Sequence, residues 1–491
     1  MNGLTQDTLD AIKAQVGLEI QKAWTQPGSA ISGINYYNLE EGAKKLYPVI
    51  TPLRNLIPRV KTSGGIQANW RAITGINTAN LGAGVSFGNR APVMSSTTQD
   101  YTAAFKAYGF EDNVQFEADF TAERFDDLKA LAVEGLLRAT MIGEEKLDLG
   151  GNASIALGTT PTPSNSTSTT GGTLAAATYN VICVALTFEG FQAASVAGGL
   201  PLSGNVTLAD GTTEARNQGT AIKSTAASQV TTGATSTISS SVAAVNGAVA
   251  YAWFWGTAGN ELLGAITTIN SVLITAAATG TQNASAGFTA DKSQNSLVYD
   301  GLLSLAMVSG SGALIRTQAT GTAGTGTPLT SDTAGGIVEI DSMLQSFWDN
   351  YRLTPDCIWV NSQEQQNISK KILTGSASAA QRFMFTAQQG NLTGGYLARS
   401  YLNKFAMDGA AEIPIKLHPN MPAGTIMFTT SQLPYPLSNV QSVFRKLLRR
   451  DYYQIEWPIR TRKYEYGVYA DGVLQHYFPP SLGVLKNVGN G

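Results

Sequence analysis

The stretch KYEYGVYADGVLQHYFPPSLGVLKN, Lys463–Asn487, decides how this chain is read. It holds five aromatics and a Pro-Pro pair, alternates as strands do, and lies almost at the end of the chain. Long chains usually finish in a polar, frayed tail. An apolar ending reads instead as the closing strands of a core, with Pro479 and Pro480 stopping the ladder.

Working outward, 491 residues predict several domains. Charged residues make up only 14%, and 51 glycines favour turns and strands over helix. So low a charge fits a chain that relies on burial and backbone hydrogen bonds, or on contact with other subunits, more than on a charged solvated skin. A net charge of -2 carries no basic signature for nucleic acid across the whole chain. The two cysteines, Cys183 and Cys357, fall in different regions and read as buried thiols, not a disulfide framework. No secretory leader and no membrane-spanning apolar run is expected, so the N-x-S/T triplets read as chance matches in a cytoplasmic product.

Residues 1–60 read as an arm. An amphipathic helix is expected over Thr5–Trp24, with Leu9, Ile12, Val16 and Ile20 at helical spacing. Pro48, Pro52 and Pro58 in YPVITPLRNLIPRV argue against helix there. Residues 61–118 read as a long β-hairpin with a Gly/Asn-rich tip. Residues 119–157 contain one long helix over 119–149, capped by Asp119 or Thr121 and stopped by Gly150-Gly151.

Composition then shifts. Ile155 to Ala290 holds six charged residues in 136 positions, among short alternating runs such as VAAVNGAVAYAWFWGT. Tyr251, Trp253 and Trp255 share one face of a strand, and residues 158–292 read as an inserted immunoglobulin-like β-sandwich. Residues 293–445 return to α+β structure. A helix is expected over 336–352, with Ile337, Ile340, Leu344, Phe347, Trp348 and Tyr351 on one face. A buried strand is expected at PDCIWVNS. Residues 446–491 hold the closing strands.

Catalytic constellations are hard to find. His418 and His476 stand without Cys, Asp or Glu at ligand or triad spacing, and read as packed histidines. Gly84-Val85-Ser86-Phe87-Gly88 matches the hydrolase elbow pattern, but its flanks lack the required strand and helix. No phosphate loop, dinucleotide fingerprint or metal spacing occurs, so no cofactor and no enzyme activity are expected. The densest charge is RKLLRRDYYQIEWPIRTRKYEYG. There Arg445, Lys446, Arg449, Arg450, Arg460, Arg462 and Lys463 outnumber the acids Asp451, Glu456 and Glu465. These residues could touch a phosphate backbone. Pairing between subunits with acids such as Asp126, Asp127, Glu144 and Glu145 is favoured over it, because nothing here reads bases.

The order arm, long hairpin, long helix, α+β body and final strand pair resembles the major capsid proteins of tailed bacteriophages, the Hong Kong 97-type fold. EYGVYADGVLQHYFPPSLGVL looks like that family's returning strands, and IPIKLHPNMPAGTIMF like its strand, proline turn and G-T-I signature. TPDCIWVNSQEQQNI resembles its strand-to-helix step. The likeness covers 1–157 and 293–491, with the insertion additional.

The resemblance implies an N-terminal arm, an extended loop overlapping a neighbouring subunit (61–118), a spine helix in a peripheral domain (119–157) and an axial domain (293–445). The peripheral return strands would be 446–491. It implies hexamers and pentamers of an icosahedral, genome-enclosing head, assembled in the host cytoplasm and present in the virion. Partners would be further copies, a portal protein, packaged double-stranded DNA and a separate scaffolding or decoration protein, but no membrane. The insertion would face outward. Between Lys61 and Lys106 the loop has no lysine, so a shell without covalent links between subunits is expected. An encapsulin-type compartment holding a cargo enzyme is the alternative job for the same fold. An adhesin and a Ser86 hydrolase are weaker readings.

Overall fold

The computed structural model describes residues 45, 47–62, 64–76, 84–91, 93–122, 127–202, 204–374, 397–406, 409–435 and 438–491. The helix expected over Thr5–Trp24 lies outside them. The fold is mixed α+β.

One layer is a four-stranded sheet with Lys463–His476 near its centre. The spatial order is Arg59–Lys61, Phe444–Glu456, Lys463–His476, Lys106–Gln115. The two long strands pair antiparallel from Phe444↔His476 to Glu456↔Tyr466, with bulges around Arg450. Lys106–Gln115 was expected to continue the hairpin; instead it pairs with Lys463–Gly472. The hairpin is therefore only Gln67–Ile76 against Ser96–Ala104. Apolar Val114 and Tyr108 give the later strand a buried or half-buried face, which a projecting hairpin does not need.

The long helix Leu128–Gly150 packs on this sheet through Leu136, Tyr466 and Val468. It starts later than expected. Asp127 is the cap, its Oδ1 accepting from the N–H groups of Lys129 and Ala130 at 3.1 Å each. A separate helix, Phe116–Ala122, precedes it. Twenty-three residues make the long helix about 35 Å.

A short helix, Pro52–Leu56, occupies a segment where prolines argued against one. Pro52 sits at the first position, where its missing N–H costs no hydrogen bond. Leu53, fully buried, joins the core beside Leu149.

The second layer is a six-stranded sheet, in order Leu314–Thr317, Gly483–Lys486, Ile426–Thr429, Cys357–Val360, Gly409–Leu417, Ser400–Ala406. Helix Val338–Tyr351 covers it with Ile340, Leu344 and Phe347, all fully buried. Helix Ser362–Thr374 follows the Cys357–Val360 strand. The closing segment thus divides between both layers. Strand Lys463–His476 ends, a single turn of 3₁₀ helix at Pro479–Ser481 redirects the chain, and Gly483–Lys486 enters the second sheet parallel to Leu314–Thr317. Residues 446–491 thus contribute strands to both sheets, because the prolines turn the chain rather than end its structure.

Within 158–292 the chain forms a four-stranded sheet (Leu262–Thr267, Ala250–Gly256, Thr178–Leu186, Ala227–Val230) and a three-stranded one (Ser271–Ile274, Thr237–Ser241, Ser164–Ser168). Tyr251, Trp253 and Trp255 share one face with Val181, Cys183 and Ala185. The reverse face is buried too: Ala252, Phe254, Ile182 and Val184 lie under Leu200, Ala284 and Phe288. The main core runs without a break from Trp253 and Ile274 to Leu303, Phe444 and Val484. This region is therefore welded to the body. Asn246 Nδ2 donates to Met307 O (2.8 Å), and the Asn270 N–H to Asn487 Oδ1 (2.9 Å).

Candidate functional site

The C-terminal turns of the long helix carry Glu144, Glu145 and Asp148, each 1% exposed or less. Acids there oppose the helix dipole, so tertiary partners must hold them. Five separate segments supply those partners.

Glu144 accepts from Arg59 Nη1 (2.7 Å), Arg54 Nε (3.2 Å) and the hydroxyls of Tyr108 (2.7 Å) and Tyr452. Glu145 takes the N–H groups of Leu53 (2.9 Å) and Arg54 (2.7 Å), fastening the short arm helix at its N-terminus. It also meets His418 Nε2 at 2.6 Å. Because His418 Nδ1 accepts from the Asn420 N–H at 3.1 Å, Nε2 is the protonated nitrogen and donates to Glu145. Asp148 accepts from the Tyr299 hydroxyl (2.7 Å) and from Lys446 Nζ (2.6 Å). Lys446 Nζ also stands 3.4 Å from Glu144, 3.9 Å from the Tyr299 ring centroid and 5.3 Å from that of Tyr108.

The electrostatics differ between neighbours. Burial pushes the Glu144 carboxyl up, but Lys446, the Tyr452 hydroxyl, Arg59 and the Tyr108 hydroxyl outweigh it and bring it down to about 2. At Asp148 burial wins. Lys446 opposes it, the Glu144 charge reinforces it, and the carboxyl rises above its ordinary value. Burial and the nearby carboxylates raise the Tyr299 and Tyr108 hydroxyls as well.

The seven basic residues singled out from sequence do not form one patch. Lys446 is 1% exposed and faces inward to Asp148, so it cannot touch a phosphate backbone. Its pairing with Glu144 lies within this chain, where pairing between subunits was expected. Arg445 donates to Gln475 Oε1 (2.7 Å) and stacks over Tyr477. Arg449 pairs with Asp471 (2.8 Å), and exposed Arg450 lies over Tyr453. Arg460 and Arg462 are exposed in the loop joining the two strands, Arg462 pairing with Glu117 at 2.8 Å; Lys463 begins the return strand. Arg445 sits opposite Gln475, twelve positions or about 40 Å along the return strand from Lys463 at the other end of the group. Strand alternation and the bulges scatter residues that are adjacent in sequence.

Ser86 is exposed in a turn, its Oγ accepting from Asn89 Nδ2 at 2.6 Å, and no described strand or helix flanks it as an elbow requires. His476 is buried and lacks hydrogen-bond partners among the described residues; burial drives its imidazole down to about 3, so it stays neutral. Among the described residues no group of three His, Cys, Asp or Glu could hold a metal. No described helix is long and apolar enough to cross a membrane. Cys183 and Cys357 are buried free thiols.

A second feature lies outside this junction. The hairpin Gln67–Ile76/Ser96–Ala104 and its connection expose Ile73 (69%), Phe87 (109%), Val93 (93%) and Met94 (64%), and Ile66 just before it is 79% exposed. Its base is anchored by Trp70, stacked on Tyr101 and edge-on to Tyr477.

No family model matches the chain, and no curated protein matches its sequence. Solved structures do. The chain is similar to the capsid of the native GTA particle, at 9% identity and TM-score 0.43, over 95% of this chain and 100% of that one. The cyanophage A-1(L) capsid matches at 10% identity and TM-score 0.42, over 92% and 96%. The SrpI encapsulin of Synechococcus elongatus PCC 7942 matches at 9% identity and TM-score 0.36, over 91% and 92%.

Proposed function

We propose that this chain is the major capsid protein of a tailed double-stranded-DNA bacteriophage, of the Hong Kong 97 type. It would assemble into hexamers and pentamers of an icosahedral head. The exposed hairpin carries this reading. A two-stranded hairpin is marginal alone, and this one leaves Ile73, Phe87, Val93 and Met94 in water. A neighbouring copy that covers it removes both problems. The long helix crossing a sheet of returning strands supports the peripheral layer of such a subunit, and the six-stranded α+β layer its axial part. We assign residues 158–292 as an immunoglobulin-like insertion on the outer surface. Exposed Arg449, Arg450, Arg460 and Arg462 are the residues of this group available to packaged DNA or to an adjoining subunit. A portal protein and a separate scaffolding or decoration protein complete the proposed partners, with assembly in the host cytoplasm.

Negative-stain microscopy of the purified chain tests the reading. Closed icosahedral particles are expected; monomers under every condition overturn it. Nuclease-protected DNA inside particles from infected cells marks a virion, whereas a packaged enzyme marks an encapsulin-type compartment.

A further inference from the structure

The junction holds a lysine amine against a carboxyl group with almost no solvent. Lys446 Nζ and Asp148 Oδ1 are 2.6 Å apart, and both side chains are 1% exposed. A second carboxylate, Glu144, stands 3.4 Å from the same nitrogen. The Tyr299 hydroxyl touches both Lys446 and Asp148, and the rings of Tyr299 and Tyr108 flank the amine. An ordinary ion pair needs one acid and tolerates water. This arrangement supplies nucleophile, electrophile, proton relay and hydroxyl donor in a dry site.

We propose that Lys446 and Asp148 condense to form an intramolecular isopeptide bond. The ammonium first passes a proton to Asp148 across their hydrogen bond, giving a neutral amine and a carboxylic acid. Burial favours that neutral pair over two charges, in line with the raised Asp148 carboxyl. The amine lone pair attacks Asp148 Cγ, forming the C–N bond, while the Tyr299 hydroxyl steadies the developing oxyanion. Glu144 accepts the amine's surplus proton and delivers it to the departing hydroxyl. The C–O bond breaks and one water leaves. No oxidant, metal or co-reactant enters the balance. Fixed contact between the two groups replaces the encounter that makes amide formation slow in water.

The bond would tie the end of the long helix to the returning strand and close a loop of 298 residues, containing 158–292 and most of the six-stranded sheet. It lies within one subunit and is independent of the shell-forming reading. It is also compatible with a shell lacking covalent links between subunits.

Intact mass spectrometry of the denatured full-length chain reads the outcome directly. The mass expected is that of the sequence less one water, with a branched peptide joining the segments around Asp148 and Lys446 after proteolysis. Lys446→Arg keeps a cation opposite Asp148 and restores the full mass. Full mass in the wild-type chain, with Lys446 acylated by an amine reagent after denaturation, overturns the proposal whether or not the variant folds. A mass deficit that persists in Lys446→Arg overturns the assignment as well.

Discussion

At the residue scale, Lys446 is the most instructive position. In sequence it belongs to a basic run; in the structure it is the counter-charge to Asp148 inside the core. Removing it leaves a buried carboxyl without its cation. Compared with the unbonded Lys446→Arg chain, which keeps the cation, Lys446→Ala is expected to cost about 3–5 kcal/mol, measured as a shift in the urea unfolding midpoint. Glu144 titrates from its ordinary value in the unfolded chain to about 2 in the folded one. Its contribution is present above pH ~4.5 and is lost as pH falls toward ~2. Glu144→Gln should therefore flatten the acid limb of the stability curve; an unchanged limb refutes this.

Lys486 behaves oppositely. Its amine donates to Val245 O at 3.0 Å, and burial brings it down to about 8. The folded value lies below the unfolded one, so stability is greatest above pH ~10.5 and is lost as pH falls through ~8. A shift of that size is about 3 kcal/mol. Lys486→Met is expected to raise the melting temperature at pH 7 far more than at pH 10.

At the element scale, the long helix is held where its end meets other backbone. A Cβ on Gly301 would collide with the carbonyl oxygen of Leu147 and, at 2.6 Å, with Gly150 N. Backbone cannot swing aside as a side chain can. Gly301→Ala should cost about 1–3 kcal/mol in thermal or urea unfolding. Existence and type of the strongly periodic elements were legible in the sequence: 336–352 and PDCIWVNS appear as helix Val338–Tyr351 and strand Cys357–Val360. Starts and partners were less so. Asp119, Thr121 and Asp127 are all chemically able to cap, and only packing selects Asp127. Lys106–Gln115 alternates equally well for either partner, so local pattern cannot assign it to the hairpin or the sheet.

At the scale of the whole molecule, two deletions separate assembly from folding. Removing residues 67–104 with a short linker should leave a folded monomer, by circular dichroism and unfolding, that forms no particles. Removing 158–292 should do the reverse of a clean excision. Trp253, Ile274 and Val484 share one core, so the remainder is expected to aggregate or to melt well below the intact chain. The acid junction was half visible. The sequence singled out Glu144 and Glu145 only as acids that could pair with the basic run between subunits; their place at the helix C-terminus, against its dipole, is what calls for partners within the chain. Tyr108, Tyr299, Arg54 and His418 lie far from them in sequence, and no spacing rule reaches that far.

Lys463–Asn487 shows the division. Its alternating aromatics, with few charges, determined that it is buried strand, because such residues lose too much by staying in water. Composition likewise set the β character of 158–292 and the helical stripe of 336–352. Only the tertiary structure decided that the segment serves two sheets, with Pro479–Ser481 turning the chain between them. The same holds for Lys446 inside and Arg450 outside on a single strand. Hydrophobic pattern records how much of a residue must leave water. Which surface it meets depends on contacts between segments hundreds of residues apart, and these exist only once the chain has folded.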